Sequence, residues 1–302
     1  MTPMSTTDPY GQVPDSLPLP RTSLAWHVNA EPAVLGGGGR ALLMQVAHPG
    51  VGAGVEQHST YASDPWGRFF RTMDVMMKLS FGTPEASARQ VRLLEKMHRR
   101  VVGTTDDGAA YSARDTALQL WVWATLVDTA LLVFELVRTP LTPDQKDRYY
   151  AESKLTAYGC GVPRGACPET WGDFQAYVAH VVAHDLRVTD SARAVAHASM
   201  VPPLPAPVGQ LASRPHRLMT VGLLPPSLRR GYGFDWDAAE ERELRRLLAM
   251  ARLGARVTPV AVRELNARML LNRKGPVRVP WLQRRGAELT AIRMDSFEPV
   301  AS

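Results

Sequence analysis

The sequence predicts an all-α fold, and three observations carry that prediction. Apolar residues recur at helical spacing in one segment after another. Several of those segments open with Ser, Thr or Asp followed by Pro or a short polar turn, as helix N-termini do. No run of alternating apolar and polar residues interrupts them, and no internal repeat is present. At 302 residues, 45% hydrophobic and 21% charged, the composition is that of an ordinary globular chain able to bury a sizeable core.

Residues 1–22, rich in Pro, Ser, Thr and Asp, read as a disordered lead-in. They carry neither the basic n-region nor the apolar h-region of a secretory signal, which predicts a cytoplasmic protein. The ordered part begins at Leu24-Ala-Trp-His-Val28. Gly36 to Gly39 then lead into an apolar helical run, ALLMQVAHP, ended by Pro49. No Lys-Ser/Thr follows these glycines and no β-branched strand precedes them, so a phosphate loop is excluded and a close turn at a helix start is expected. The small residues of GVGAGVEQHS suit close packing against a helix or a flat cofactor.

Asp64 and Pro65 read as the N-cap and first residue of a helix reaching about Phe81. Arg68, Thr72, Val75 and Leu79 fall on one stripe of it, so Arg68 and Thr72 interrupt an apolar face. Gly82 stops this helix, and Thr83-Pro84 starts another expected to reach Val102. His98 takes a place among its apolar positions Val91, Leu94, Val101 and Val102, which points the imidazole inward.

Ser112-Ala-Arg-Asp115 resembles a capping box that opens a long helix through Arg138. Its middle, LQLWVWATLVDTALLVFELV, is apolar nearly all round, but Asp128 and Glu135 interrupt it, so a central core helix is expected rather than a membrane span. Thr142-Pro143-Asp144 caps a helix to about Tyr158, and Thr170 to Leu186 forms another. VPPLPAPVGQ is a Pro-rich connection, followed by short helices from Arg214 to Leu224, a helix from Asp235 to Leu253, and a capped start at Thr258-Pro259 leading to Met269. Residues 23–270 thus read as one large helical domain and 271–302 as a Pro/Arg-rich surface tail.

The net charge of +6 comes from Arg spread between Arg21 and Arg293, with no basic block interleaved with aromatics, so it reads as solvated helix faces and excludes a nucleic-acid partner. Cys160 and Cys167 flank a Gly/Pro loop with nothing nearby to complete a metal quartet, and read as reduced thiols. By spacing alone His98 is a core histidine bonded to a backbone carbonyl and a water, and Arg68 is half of an ion pair. Three other histidine arrangements compete with it. His48, Glu56 and His58 could chelate iron across a gap that contains Pro49. Glu95 and His98 form one E-x-x-H pair, but a di-iron bundle needs a second and the chain has none. His180 and His184 stand at i,i+4 with no third ligand nearby.

From about Trp26 to Met269 the chain resembles the bacterial and fungal proteins that share the catalytic domain of rubber oxygenase and of the mycophenolic-acid-pathway oxygenase. The segments that carry the resemblance are GGGRALLMQVAHPGVGAGVEQHS, DPWGRFFRT, M-H-R-R-V at Met97, YSARD, WVWATLVDT and DRYYAES. The resemblance implies a globin-like core around a b-type haem, O₂ as co-substrate and a small apolar substrate, with oxidative cleavage of carbon-carbon double bonds in isoprenoid chains as the known chemistry. Its signature is an Arg, a Thr four residues later and a haem-ligating His on the next helix, which Arg68, Thr72 and His98 match. His98 is then the iron ligand, Arg68 a donor to bound oxygen or to a haem propionate, and Thr72 a residue that orients a water or the Arg. Arg71 stands where the rubber oxygenase has a Lys able to occupy the open iron position, and an Arg would not ligate. Trp123 replaces a His of many relatives, and Glu56 is the carboxylate nearest to the place of the rubber enzyme's base.

The expected function is therefore a haem b-dependent oxygenase. The alternatives are a haem-binding or gas-sensing protein without turnover and a non-haem metalloenzyme using His48 and His58. On the first reading His98 faces an apolar cavity walled by the Arg68/Thr72 helix, by Gly50 to Val55 and by the helix from Trp121 to Phe134.

Overall fold

The computed structural model describes residues 16–58, 65–200, 207–259 and 262, with the backbone alone at 65–71 and 73. It is mostly helical, as expected. The helices are α1 (Leu24–Ala30), α2 (Gly38–Val46), α3 (Pro49–His58), α4 (Pro65–Phe81), α5 (Pro84–His98), α6 (Thr116–Val137), α7 (Pro143–Gly159), α8 (Trp171–His184), α9 (Asp190–Ser199), α10 (Val208–Gly222), α11 (Pro226–Gly231) and α12 (Ala238–Val257). A 3-10 turn, Pro32–Gly37, precedes α2. A short antiparallel hairpin, β1 (Val102–Thr104) and β2 (Ala110–Ser112), separates α5 from α6.

α6 is the axis of the core. It packs against the 3-10 turn and against α1, α2, α3, α7, α8 and α12, and most of its length is buried although its composition alone would suit a bilayer. Trp121 donates its indole N–H to the Met44 carbonyl at 3.1 Å and Trp123 donates to Thr156 Oγ1 at 3.0 Å, so both rings are satisfied as well as buried. Trp123 also packs among Tyr150 and Phe174. The residue that replaces a family histidine is here part of an aromatic core.

The glycines before α2 serve close packing. A Cβ on Gly37 would lie 2.6 Å from Thr129 Cγ2 of α6, and one on Gly39 would lie 2.1 Å from Thr220 Oγ1 of α10. Their absence lets α2 approach both helices, and Arg40 exploits that position. Its guanidinium pairs with Asp128 at 2.8 Å and donates to the Leu223 carbonyl at 2.8 Å and to Thr129 Oγ1, tying α2 to α6 and to the end of α10. Gly39→Ala is expected to cost about 1–3 kcal/mol, because Thr220 is fully buried and has no room to retreat. Thr220→Ala in the same chain should recover part of the loss, and chemical denaturation of the three variants checks both statements.

Glu152 fixes the N-terminal side. Its wholly buried carboxylate accepts the Ala25 N–H at 2.7 Å at the start of α1 and pairs with Arg148 at 2.9 Å. The fold extends a few residues ahead of the expected boundary at residue 22. Leu19 is buried, and its N–H donates to the Ser80 carbonyl at 3.1 Å, so an apolar side chain anchors part of the supposed lead-in.

Three local expectations need correction, and one helix lies outside them. α5 ends at His98 rather than Val102, because the β-branched Val101 and Val102 continue into a hairpin whose loop is turned by Gly108 at φ +85°. The cap of α6 is Asp115, which accepts from the Ala117 N–H at 2.8 Å, while Ser112 ends β2. α9 follows its own N-cap, Thr189, a start that the sequence reading passes over. α10 runs unbroken from Val208 through Pro215, in place of short helices from Arg214. Thr258 is the C-cap of α12, and the expected helix to Met269 and the tail at 271–302 lie outside the described residues.

Candidate functional site

α5 is built to end on an inward-facing histidine. Thr83 Oγ1 accepts the Ala86 N–H at 3.2 Å, Pro84 occupies the first position, and Ser87, Gln90 and Leu94 form the buried stripe that His98 extends by one turn. The imidazole is half-buried, with Nδ1 3.5 Å from Gln119 Nε2 on the first turn of α6. Burial pushes its pKa below the usual value, so it is neutral near pH 7. Nε2 has no hydrogen-bond partner among the described residues. Glu95, the other half of the E-x-x-H pair, is exposed and pairs with Arg99 instead.

Gln119 is a residue that sequence reasoning missed. It is held from behind by the turn after α7, where a Cβ on Gly161, at φ +104°, would lie 2.9 Å from Gln119 Nε2. Only glycine suits that conformation, so the turn sits directly on the amide that faces His98. The available signal was a lone amide between two leucines in an otherwise apolar run, LQLWVW.

α4 leads through Gly82 and Thr83 into α5 and packs on it. Thr72 is half-buried on α4 and engaged by a polar partner, one turn after Arg68. Arg68 and Arg71 belong to the same helix by backbone, and their side chains lie outside the described residues. The structure therefore places His98 and Thr72 on neighbouring helices.

The rival histidines are dispersed. His58 Nε2 lies 2.9 Å from the Val102 carbonyl, and Glu56 receives the Ser191 hydroxyl. His180 and His184 stack on one another, with His184 Nδ1 2.9 Å from the His180 carbonyl. No group of three or more His, Cys, Asp or Glu side chains among the described residues could hold a metal ion. Both cysteines are free, and burial pushes Cys160 up to about 12 and Cys167 up to about 11, which leaves both as thiols.

Two cavities open elsewhere in the fold. One of about 450 Å³ is lined by His48, Tyr111, Asp115, Asp185 and Arg187, and the other, about 460 Å³, lies between the 3-10 turn, α10 and α12. Neither is lined by His98 or Thr72.

His48 presents a buried Nδ1 without a hydrogen-bond partner. Burial holds its pKa below 6.5, against the upward pull of Asp185 and Asp115 and with a smaller downward push from Arg187. The unfolded chain therefore takes up this proton first as pH falls, so the contribution to stability is full above about 6.5 and is lost as pH drops through the folded value. His48→Gln is expected to narrow the loss of stability between about pH 7.5 and about pH 5.5, as measured by denaturant titration at each pH.

Comparison with known proteins adds to this geometry. Residues 25–253 match the profile of the family described as ER-bound oxygenase mpaB/B'/rubber oxygenase, catalytic domain. The chain is 28% identical over 225 residues to an uncharacterized protein of Mycobacterium tuberculosis, Rv2237, covering 72% of this chain and 87% of that protein. The uncharacterized protein Mb2261 of Mycobacterium bovis matches at the same identity and coverage. No solved structure matches.

Proposed function

The chain belongs to the MpaB/rubber oxygenase catalytic-domain family, and from that premise we propose that it is a haem b-dependent oxygenase acting with O₂ on a small apolar substrate. The reaction class that the family resemblance points to is oxidative cleavage of a carbon-carbon double bond, in which the two atoms of O₂ become the oxygens of two carbonyl products and no external electrons are consumed. The observation that carries the proposal is the placement of His98, which is half-buried with its pKa lowered by burial, one nitrogen 3.5 Å from the Gln119 amide and the other without a hydrogen-bond partner among the described residues. Such an imidazole could hold haem iron through its second nitrogen once its other N–H has an acceptor.

The haem would supply the iron that binds and activates O₂. Ligation through Nε2 requires the Nδ1 proton to be donated, and Gln119, whose Nε2 lies 3.5 Å from Nδ1, would accept it once its amide is rotated to bring the oxygen toward the ring. Gly161, where an added Cβ would lie 2.9 Å from Gln119 Nε2, leaves room for the amide at that place. Arg68 is assigned to stabilise negative charge on the oxygen side or on a propionate, and Thr72 to orient Arg68 or a water. Arg71 is assigned no ligand role, because a guanidinium would not coordinate iron. The apolar core helix α6 would help to exclude water from the reacting carbons.

The test is turnover. Haem-loaded protein is incubated with a panel of isoprenoid and other unsaturated apolar compounds, and O₂ uptake is followed together with carbonyl products. Arg68→Ala and Thr72→Ala are expected to keep haem and to lose roughly 10²-fold or more in rate, as expected for removal of a charge-stabilising donor. Turnover at the wild-type rate in both variants would reassign the pair as structural.

A further inference from the structure

The apolar cavity of about 460 Å³ has no part in the proposed haem site. It opens near Val137, at the far end of α6 from Gln119, a separation of about 27 Å along the helix axis at 1.5 Å per residue. Its walls are Leu35 of the 3-10 turn, Leu42 of α2, Met219 of α10 and Leu247, Leu248 and Ala251 of α12. Gly36, Gly38 and Gly39 leave space on one side, where a Cβ on Gly36 would make only an ordinary 3.6 Å contact with Met219.

The polar groups at the wall are already committed. His216 Nε2 lies 3.0 Å from the Ser199 carbonyl, and Ser199 Oγ donates to the Ala196 carbonyl at 2.9 Å. Among the described residues, no Lys, Arg, Asp or Glu lines the cavity. Ordered water needs two to four polar partners, which this wall does not offer. Protein interiors retain few voids much larger than a water molecule, whereas ligand pockets span roughly 300–1,000 Å³.

The apolar character continues outward. Leu211 lies one turn before Pro215 on α10, and Met250 lies one turn after Leu247 on α12; both are strongly exposed. A molecule entering here meets apolar surface before it meets the cavity.

We propose that this cavity is a second binding site, for a neutral, apolar, drug-sized molecule, separate from the haem site and independent of it. Neutrality follows from the described wall, since an ionised carboxylate or phosphate would be desolvated without a cation among those residues to pair with.

The test uses the full chain and the neutral dye Nile red. Fluorescence titration is expected to show one saturable site per chain. Ala251→Phe and Gly36→Leu, which place side chains inside the cavity from opposite walls, should each weaken binding at least 10-fold while circular dichroism stays unchanged. Dodecanol should displace the dye at a concentration at least 10-fold lower than laurate does. Absence of a saturable site, or dye binding that survives both substitutions, overturns the proposal, and displacement by laurate as effective as by dodecanol overturns the assignment of a neutral ligand. Haem binding in Ala251→Phe is measured in parallel: its retention with loss of the dye supports two separate sites, whereas loss of both overturns their independence. Failure of the wild-type chain to bind haem would count against the oxygenase reading alone.

Discussion

His98→Ala is expected to abolish stoichiometric haem binding, with at least a hundredfold loss of affinity, while His48→Ala and His58→Ala keep it. The difference rests on placement. His98 ends a helix whose buried stripe it continues, with Nδ1 3.5 Å from Gln119 Nε2 and with no hydrogen-bond partner for Nε2 among the described residues. His58 meets a backbone carbonyl near the surface, and His48 faces a different cavity. Gln119→Leu should lie between these extremes, at about 10–100-fold weaker haem affinity, the usual cost of removing the group that orients a metal-bound imidazole. Haem titrations of the four variants followed by absorbance read these differences directly. Full haem occupancy in His98→Ala would remove the ligand assignment.

Arg40→Ala is expected to destabilise the fold by about 3–5 kcal/mol, the range seen when one partner of a buried ion pair is removed. Arg40 and Asp128 are both largely buried, and the same guanidinium serves the Leu223 carbonyl and Thr129. The substitution removes the donor of a hydroxyl and a carbonyl, leaves the Asp128 carboxylate with the Gln175 amide at 3.2 Å but no cation, and opens space between α2 and α6. Arg40→Lys should recover little, because one ammonium does not reproduce a fork aimed at three acceptors. Urea denaturation of both variants checks this. A loss under about 1 kcal/mol in Arg40→Ala would show that water replaces the guanidinium at little cost.

Much of the helical architecture was legible because local chemistry and periodicity agree there. Thr83-Pro84, Thr142-Pro143 and Thr170 each cap the helix expected of them, and the apolar run around Trp121 lies at the centre of the core. The glycines before Arg40 were read correctly as a close turn. The partners that demand the closeness, Thr129 and Thr220, are distant in sequence and could not be named.

The hairpin after α5 was missed for a different reason. Val101 and Val102 continue a helical spacing, but they are β-branched and followed by glycine, and the pairing that overrides the helix comes from residues ten positions later. Strand pairing is a tertiary choice, which periodicity in one segment does not contain.

The site divides along the same line. His98 and Thr72 stand out because each interrupts an apolar stripe. Gln119 does not, because a single amide in an apolar helix signals nothing until the turn at Gly161 and the ring of His98 are seen on either side of it. The buried, unpartnered Nδ1 of His48 is likewise a property of its surroundings. Family resemblance gave His98 a role that spacing alone could not, and the structure places the ring half-buried beside Gln119, with its pKa lowered by burial.

The most direct test of the central claim is the absorption spectrum of the purified full-length protein during titration with haem. The account predicts a Soret band that saturates at one haem per chain, shifts on reduction and on addition of carbon monoxide, and is lost in His98→Ala. A spectrum that remains that of free haem throughout the titration, with no saturable component, would contradict it.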